Sequence, residues 1–167
     1  MLSLIRKYYK GKDAARYELA RSNNPKWAFE DDVLRKTLES LKSEVKTVLD
    51  MPVGTGRALD ILTSYDSLTI EAADLSEDMM AEAKKRDVRN RVKFRQMDML
   101  APALDVKADL VVCYRFLNLI DWPAASTAIR NLAAAAEKYL LFTIRTVPRS
   151  YTGELYIEDK LHLHYDD

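Results

Sequence analysis

Asp50, Asp74 and Asp98 are the residues whose type and spacing could do chemistry together, since each stands 24 positions after the one before. Carboxylates accept hydrogen bonds from hydroxyls, amines and cations, and they repel phosphates. Three converging aspartates would suit a ligand that carries hydroxyls, an amine and positive charge. Beside the first lies the loop Asp50-Met51-Pro52-Val53-Gly54-Thr55-Gly56-Arg57. The chain has only four glycines (Gly11, Gly54, Gly56, Gly153), and two of them fall within this loop. Glycines so placed serve a backbone conformation, or a close ligand approach, that a Cβ would block. One aspartate after a strand is ordinarily a turn former or helix cap. A shared register beside the glycine pair weakens that reading.

The elements that would position these residues follow from the apolar pattern. From residue 46, short apolar runs alternate with helical patterns, which predicts an α/β fold: a Rossmann-like, doubly wound, mostly parallel sheet. Strands are expected near 46–51, 68–74, 91–97, 109–114 and 139–145, with helices filling the gaps. A crossover unit takes roughly the residues that separate the aspartates, so each should arrive at the carboxyl edge of the sheet, where open α/β sheets bind ligands. Right-handed crossovers make the first three strands neighbours and reverse the order between the first and the fourth. Ser76 is an expected N-cap, with Glu77 and Asp78 at the positive helix end. A further, alanine-rich helix is expected at 123–137, opening on Pro123.

Residues 1–45 read as a helical N-terminal cap, 46–146 as the ligand-binding core, and 147–167 as a tail with one strand at about 155–165, all within a single domain. The cap breaks at Ser22-Asn23-Asn24-Pro25. Thereafter Trp27, Phe29, Val33, Leu34, Leu38 and Leu41 recur at helical spacing. Residues 1–30 carry seven basic and three acidic side chains, a solvated face or an anion-binding cap. Tyr8, Tyr9, Tyr17 and Trp27 are either a packing face or an aromatic lid.

Composition removes several classes of function. With 167 residues and 48% apolar content, the chain can bury a core without staples. Twenty-six basic side chains balance twenty-six acidic ones, so nucleic acid is a disfavoured partner. The lone Cys113 permits no internal disulfide and favours a cytoplasmic setting. No apolar run is long enough to span a membrane. His162 and His164 alternate with Leu161, Leu163 and Tyr165 as an ordinary half-buried strand would, so no metal is expected. The glycine loop lacks the third glycine of a dinucleotide fingerprint, position 59 being leucine, and the Gly-Lys-Ser/Thr of a triphosphate loop. A nicotinamide dehydrogenase is therefore only the structural runner-up.

The blocks VLDMPVGTGR (48–57), AADLSEDMMAEAKKR (72–86), FRQMDML (94–100) and ADLVVCYRFLNLI (108–120) together resemble class I S-adenosylmethionine-dependent methyltransferases, most closely the small-molecule "type 11/12" kind. The resemblance covers roughly residues 45–146, and Pro52 stands where the family usually has its first glycine. It implies that Asp50, Pro52, Gly54 and Gly56 hold the methionine part of S-adenosyl-L-methionine, and that Asp74 takes both ribose hydroxyls. It also implies that Leu75 and Met79 pack on the adenine, Asp98 accepts from its amine, and Met99 offers a backbone N–H. Cys113 and Tyr114 would lie against the sulfonium and the acceptor. Arg57 would be either near the cofactor carboxylate or solvent-facing. Tyr114, Arg115 and Asn118 are candidates for contact with a small-molecule substrate, Arg115 having a loop salt bridge as its alternative.

Cys113-Tyr114-Arg115-Phe116 is unlike the Asn/Asp-Pro-Pro-aromatic block of exocyclic-amine DNA methylation. As a pyrimidine-C5 nucleophile Cys113 lacks the preceding proline, and an inert, buried thiol is expected. The C-terminal side is short for the family, which leaves two further classes open: a cofactor-binding subunit without catalysis, and a lyase or hydrolase that degrades S-adenosylmethionine. An apolar fifth strand should not remain an exposed edge, so the tail or a second subunit of a homo-oligomer is expected to cover it.

Overall fold

The computed structural model describes residues 25–87, 89–144, 153–157 and 161–165. Helix α1 (Pro25–Leu41) leads into β1 (Thr47–Asp50), the short α2 (Leu59–Leu62), β2 (Thr69–Asp74), α3 (Glu77–Lys84) and β3 (Val92–Gln96). There follow β4 (Ala108–Cys113), a 3₁₀ turn (Leu117–Leu119), α4 (Trp122–Ala135), β5 (Ala136–Phe142) and the hairpin strands β6 (Gly153–Ile157) and β7 (Leu161–Tyr165). The first five strands form one sheet in the order β3-β2-β1-β4-β5, and all its pairings are parallel. The order reverses between β1 and β4, as the crossover rule requires.

Strand parity builds the core. Val48, Ile70, Ala72, Leu110 and Val112 pack on one face with Leu34 and Leu38 of α1, Leu59 and Leu62 of α2, and Met80 and Ala83 of α3. Leu49, Ala73, Val111 and Cys113 point the other way and meet Ala125, Ala128, Leu132 and Ala135 of α4. Because alternate residues of a strand face opposite sides, strands covered by helices on both faces read as continuous apolar runs. The alanines of α4 fall at helical spacing and let it lie close to the sheet, as the sequence predicts.

Several expectations are corrected. Phe29 is 70% exposed rather than part of the apolar face of α1; five residues before Leu34, it points about 140° away from it around the helix. Residues 97–107, between β3 and β4, form no helix: Asp98 Oδ1 accepts from Leu100 N at 2.9 Å and turns the chain. Strand β5 begins at Ala136, directly after α4, three residues earlier than expected. The tail holds two antiparallel strands in their own sheet rather than one, Gly153 pairing with Tyr165 and Ile157 with Leu161. The polar Glu158-Asp159-Lys160 separates the two apolar runs, a turn signal that a single-strand reading overlooks. Among the described residues, the tail strands and β5 are not hydrogen-bonded neighbours in either sheet, and Phe142 at the end of β5 is 39% exposed.

The break at 22–25 apart from Pro25, the basic stretch before it, Tyr8, Tyr9 and Tyr17 lie outside the described residues, as do the side chains of Trp27, His162 and His164. No helix among the described residues is long and apolar enough to cross a membrane.

Candidate active site

Strand register explains the 24-residue spacing. Asp50 is level with Ala72 and Asp74 is level with Gln96, so each crossover advances 22 residues in register and each aspartate sits two residues further out than the last. The three stand as a staircase along the carboxyl edge of the sheet, on the same parity, stepping outward by roughly 6–7 Å per strand.

The loop after β1 is pinned at the switch point from both sides. Met51 N donates to Val112 O of β4 at 2.9 Å, and Val53 N donates to Ala73 O of β2 at 2.8 Å. Gly54 N then donates to Asp74 Oδ2 at 2.9 Å, while Ser76 N donates to Asp74 Oδ1 at 2.8 Å. Ser76 caps α3 as expected, its Oγ accepting from Met79 N at 3.3 Å. The Asp74 carboxylate thus joins the glycine loop to the start of α3.

The two glycines serve different ends. Both have positive φ, +56° at Gly54 and +85° at Gly56. A Cβ on Gly56 would come within 2.9 Å of the backbone of Ala83, so this glycine lets α3 pack against the loop. A Cβ on Gly54 would meet only Met79 Cε at 3.7 Å, an ordinary contact. Gly54 is the one of the pair that keeps its surroundings open.

Asp50 is 1% exposed and its Oδ2 has no hydrogen-bond partner among the described residues. Burial, and then the neighbouring charge of Asp74, raise its pKa to about 8. Asp74 is also raised by burial, opposed by the N–H groups of Ser76, Gly54 and Leu75. Asp98 stands apart from this pair: its carboxylate is engaged by its own turn. Asn131 of α4 holds that turn by donating to Met99 O and Ala101 O, both at 2.8 Å.

The remaining expected residues divide by exposure. Leu75 is half-buried, its carbonyl accepting from Gln96 Nε2 at 3.1 Å. Met79 is buried beside Gly54, whereas the Met99 side chain is buried within the α4-side cluster and its carbonyl is taken by Asn131. Cys113 is fully buried in that cluster, and burial followed by Asp50 pushes its thiol up to about 12, as suits an inert cysteine. Pro52 is half-buried and follows a cis peptide bond.

Glu30 is the residue sequence reasoning missed. Its carboxylate takes Arg57 at 2.7 Å and Arg115 at 3.2 Å, and its carbonyl accepts from Tyr114 Oη at 3.3 Å. Arg57 also pairs with Asp31 at 2.8 Å. Arg57 is therefore not solvent-facing; it ties α1 to the glycine loop. The salt bridge of Arg115 reaches α1 rather than staying within its loop, and Arg115 sits at φ +55°, its N–H donating to Thr143 Oγ1 at 2.7 Å. Burial and then Glu30 raise the Tyr114 pKa, so its phenol stays protonated. A signal existed in the sequence: Glu30 occupies the stripe of Leu34, Leu38 and Leu41, an acid on a buried face. Asn118 is half-buried in the 3₁₀ turn.

The site thus offers two adjoining buried acids, one with a bare oxygen, beside an open glycine and an apolar methionine. The chemistry of that set fits a cationic, hydroxyl-bearing ligand. A family described as "Methyltransferase domain" matches residues 48–138. The fold resembles magnesium protoporphyrin IX methyltransferase from Synechocystis PCC 6803 with bound S-adenosylhomocysteine (TM-score 0.67, 19% identity, 85% of this chain and 71% of that one). It also resembles S-adenosylmethionine-bound CalS10, an amino pentose methyltransferase from Micromonospora echinaspora (0.64, 22%, 87% and 63%). The fold is similar, too, to that of DesVI from Streptomyces venezuelae (0.66, 23%, 86% and 62%). No curated protein matches the sequence. The chain spans 62% to 71% of the length of these three structures.

Proposed function

Because the chain belongs to the methyltransferase-domain family, we propose that it transfers the methyl group of S-adenosyl-L-methionine to a small-molecule acceptor. The observation that carries this reading is the bare, buried oxygen of Asp50 beside Asp74 and the open Gly54. When bound, the cofactor supplies a methyl group already activated on a sulfonium, so the protein need only position and desolvate the acceptor.

The staircase suits an extended nucleoside laid along the strand ends. Asp50, Pro52, Gly54 and Gly56 would hold its amino-acid end, with Gly56 acting through the packing of the loop. Asp74 keeps lone-pair capacity beyond its backbone donors and would accept from the ribose hydroxyls. Leu75 and Met79 would wall the adenine, while Asp98 and the backbone of Met99 would read its edge. Cys113 would close the floor, and Tyr114 would face the acceptor side. A phenol held protonated orients an acceptor by hydrogen bonding rather than serving as a base. Two of the structural neighbours are named for a magnesium porphyrin and an amino pentose, which favours a small molecule in this site too.

Residues 46–146 are read as the core, 1–45 as its cap and 147–167 as a tail. The lone cysteine favours a cytoplasmic protein. The apolar β5 edge favours a homo-oligomer, which light scattering would reveal as a mass above 19.2 kDa.

Incubation with labelled S-adenosylmethionine and a panel of small acceptors tests the reaction. S-adenosylhomocysteine formed only with an acceptor is the expected result. Breakdown without any acceptor would instead mean a lyase or hydrolase, and binding with neither outcome a cofactor-binding subunit.

A further inference from the structure

Asp50 is enclosed as completely as a core leucine, yet one of its carboxyl oxygens meets no donor among the described residues. A bare, ionised carboxylate in such a place is costly, and the usual escape is to keep the proton. Among the described residues, no cationic side chain bonds that oxygen. From β2 comes Asp74, a like charge; from the end of β4 and the residue after it come the Cys113 thiol and the Tyr114 phenol, both neutral. Helix α1 brings Glu30 and Asp31, which engage the loop guanidinium of Arg57. Helix α3 turns Met79 toward the loop.

Two adjoining acids to which no cation is bonded among the described residues share the site by one of them staying protonated. The hydrogen bonds decide which. Asp74 has a backbone N–H on each oxygen, from Gly54 and from Ser76, so it holds the charge. Asp50 is left with the proton.

We infer that Asp50 is a neutral acid in the ligand-free protein and gives its proton to solvent when the cationic end of a ligand settles against its bare oxygen. The O–H bond breaks heterolytically, the proton goes to buffer, and the carboxylate left behind pairs with the ligand's ammonium. Ligand binding is therefore proton-linked. This rests on the reading that the strand-end crevice holds S-adenosylmethionine, and it adds how pH governs that site.

Titration calorimetry with S-adenosylhomocysteine at pH 6.5, in buffers of different ionisation enthalpy, tests it. The expected result is about one proton released per ligand, with affinity rising up to about tenfold per pH unit and levelling above pH 8. Asp50→Asn should release none. In the ligand-free wild type, melting temperature should fall as pH rises from 6 toward 8, and the variant should lack that slope. Heat that is equal in every buffer, or pH–stability curves that run parallel in wild type and variant, overturns the inference alone. Absence of heat in every buffer overturns the cofactor reading together with the inference built on it.

Discussion

Asp50 and Asp109 are two buried aspartates at opposite edges of one sheet, and the molecule treats them in opposite ways. Asp109, near the start of β4, accepts from Lys46 N at 2.8 Å and Thr47 N at 3.0 Å, and it pairs with Lys138 at 2.7 Å. These partners, Lys138 foremost, hold its carboxyl below the usual carboxylate range. Asp87, at the same edge, likewise spends both oxygens on Arg91 N and Val92 N. Asp50, at the carboxyl edge, keeps a bare oxygen and a raised pKa. The amino edge is electrostatically finished by the fold. At the carboxyl edge Asp50 is not finished in this way, and under the proposed function a ligand would finish it.

The sharpest test of this division lies between the two glycines. Gly56→Ala would drive a Cβ into the Ala83 backbone at a positive φ, and it should cost about 2–4 kcal/mol in denaturant unfolding. Gly54→Ala meets ordinary contacts, so it should cost only about 1–2 kcal/mol of backbone strain, yet weaken S-adenosylhomocysteine at least tenfold. Equal stability losses would erase the distinction.

Asp109 and Asp50 should next show opposite pH signatures. The depressed Asp109 contributes stability above its unfolded pKa of 3.8 that is lost as pH falls through its folded value, so Asp109→Asn should lower the melting temperature at pH 7 and flatten the acid limb. The raised Asp50 contributes stability that is full below 3.8 and gone above about 8, a slope of at most about 1.4 kcal/mol per unit between pH 6 and 8. Asp50→Asn should remove it. Unfolding curves collected from pH 3 to 9 decide both.

Glu30→Ala should cost less, about 1–2 kcal/mol, because its ion pairs are partly solvated. It should nevertheless raise hydrogen exchange throughout α1. The smallest effect belongs to Cys113→Ala, which should leave ligand affinity within twofold. The native thiol should resist iodoacetamide at pH 8.

The strand order, the Ser76 cap and the arrival of the aspartates at one edge were legible because each depends on local pattern and on the handedness of crossovers. The role of Gly56 was not, since it depends on how near Ala83 comes from another element. Glu30 was obscured by lying in an acidic run, Glu30-Asp31-Asp32, whose members look alike until the phase of α1 is known. The Asp98 turn replaced an expected helix because one side-chain hydrogen bond outweighed a general rule of alternation. Which aspartate carries a bare oxygen is a three-dimensional fact, invisible in the equal spacing of the three.

The most direct test is titration calorimetry of S-adenosylhomocysteine against the wild-type protein and Asp74→Ala. Saturable binding by the wild type, weakened about a hundredfold or more in the variant through loss of charged hydrogen bonds, is the predicted result. No heat with the wild type, or a variant that binds equally well, would contradict the claim that this edge of the sheet is built for that nucleoside.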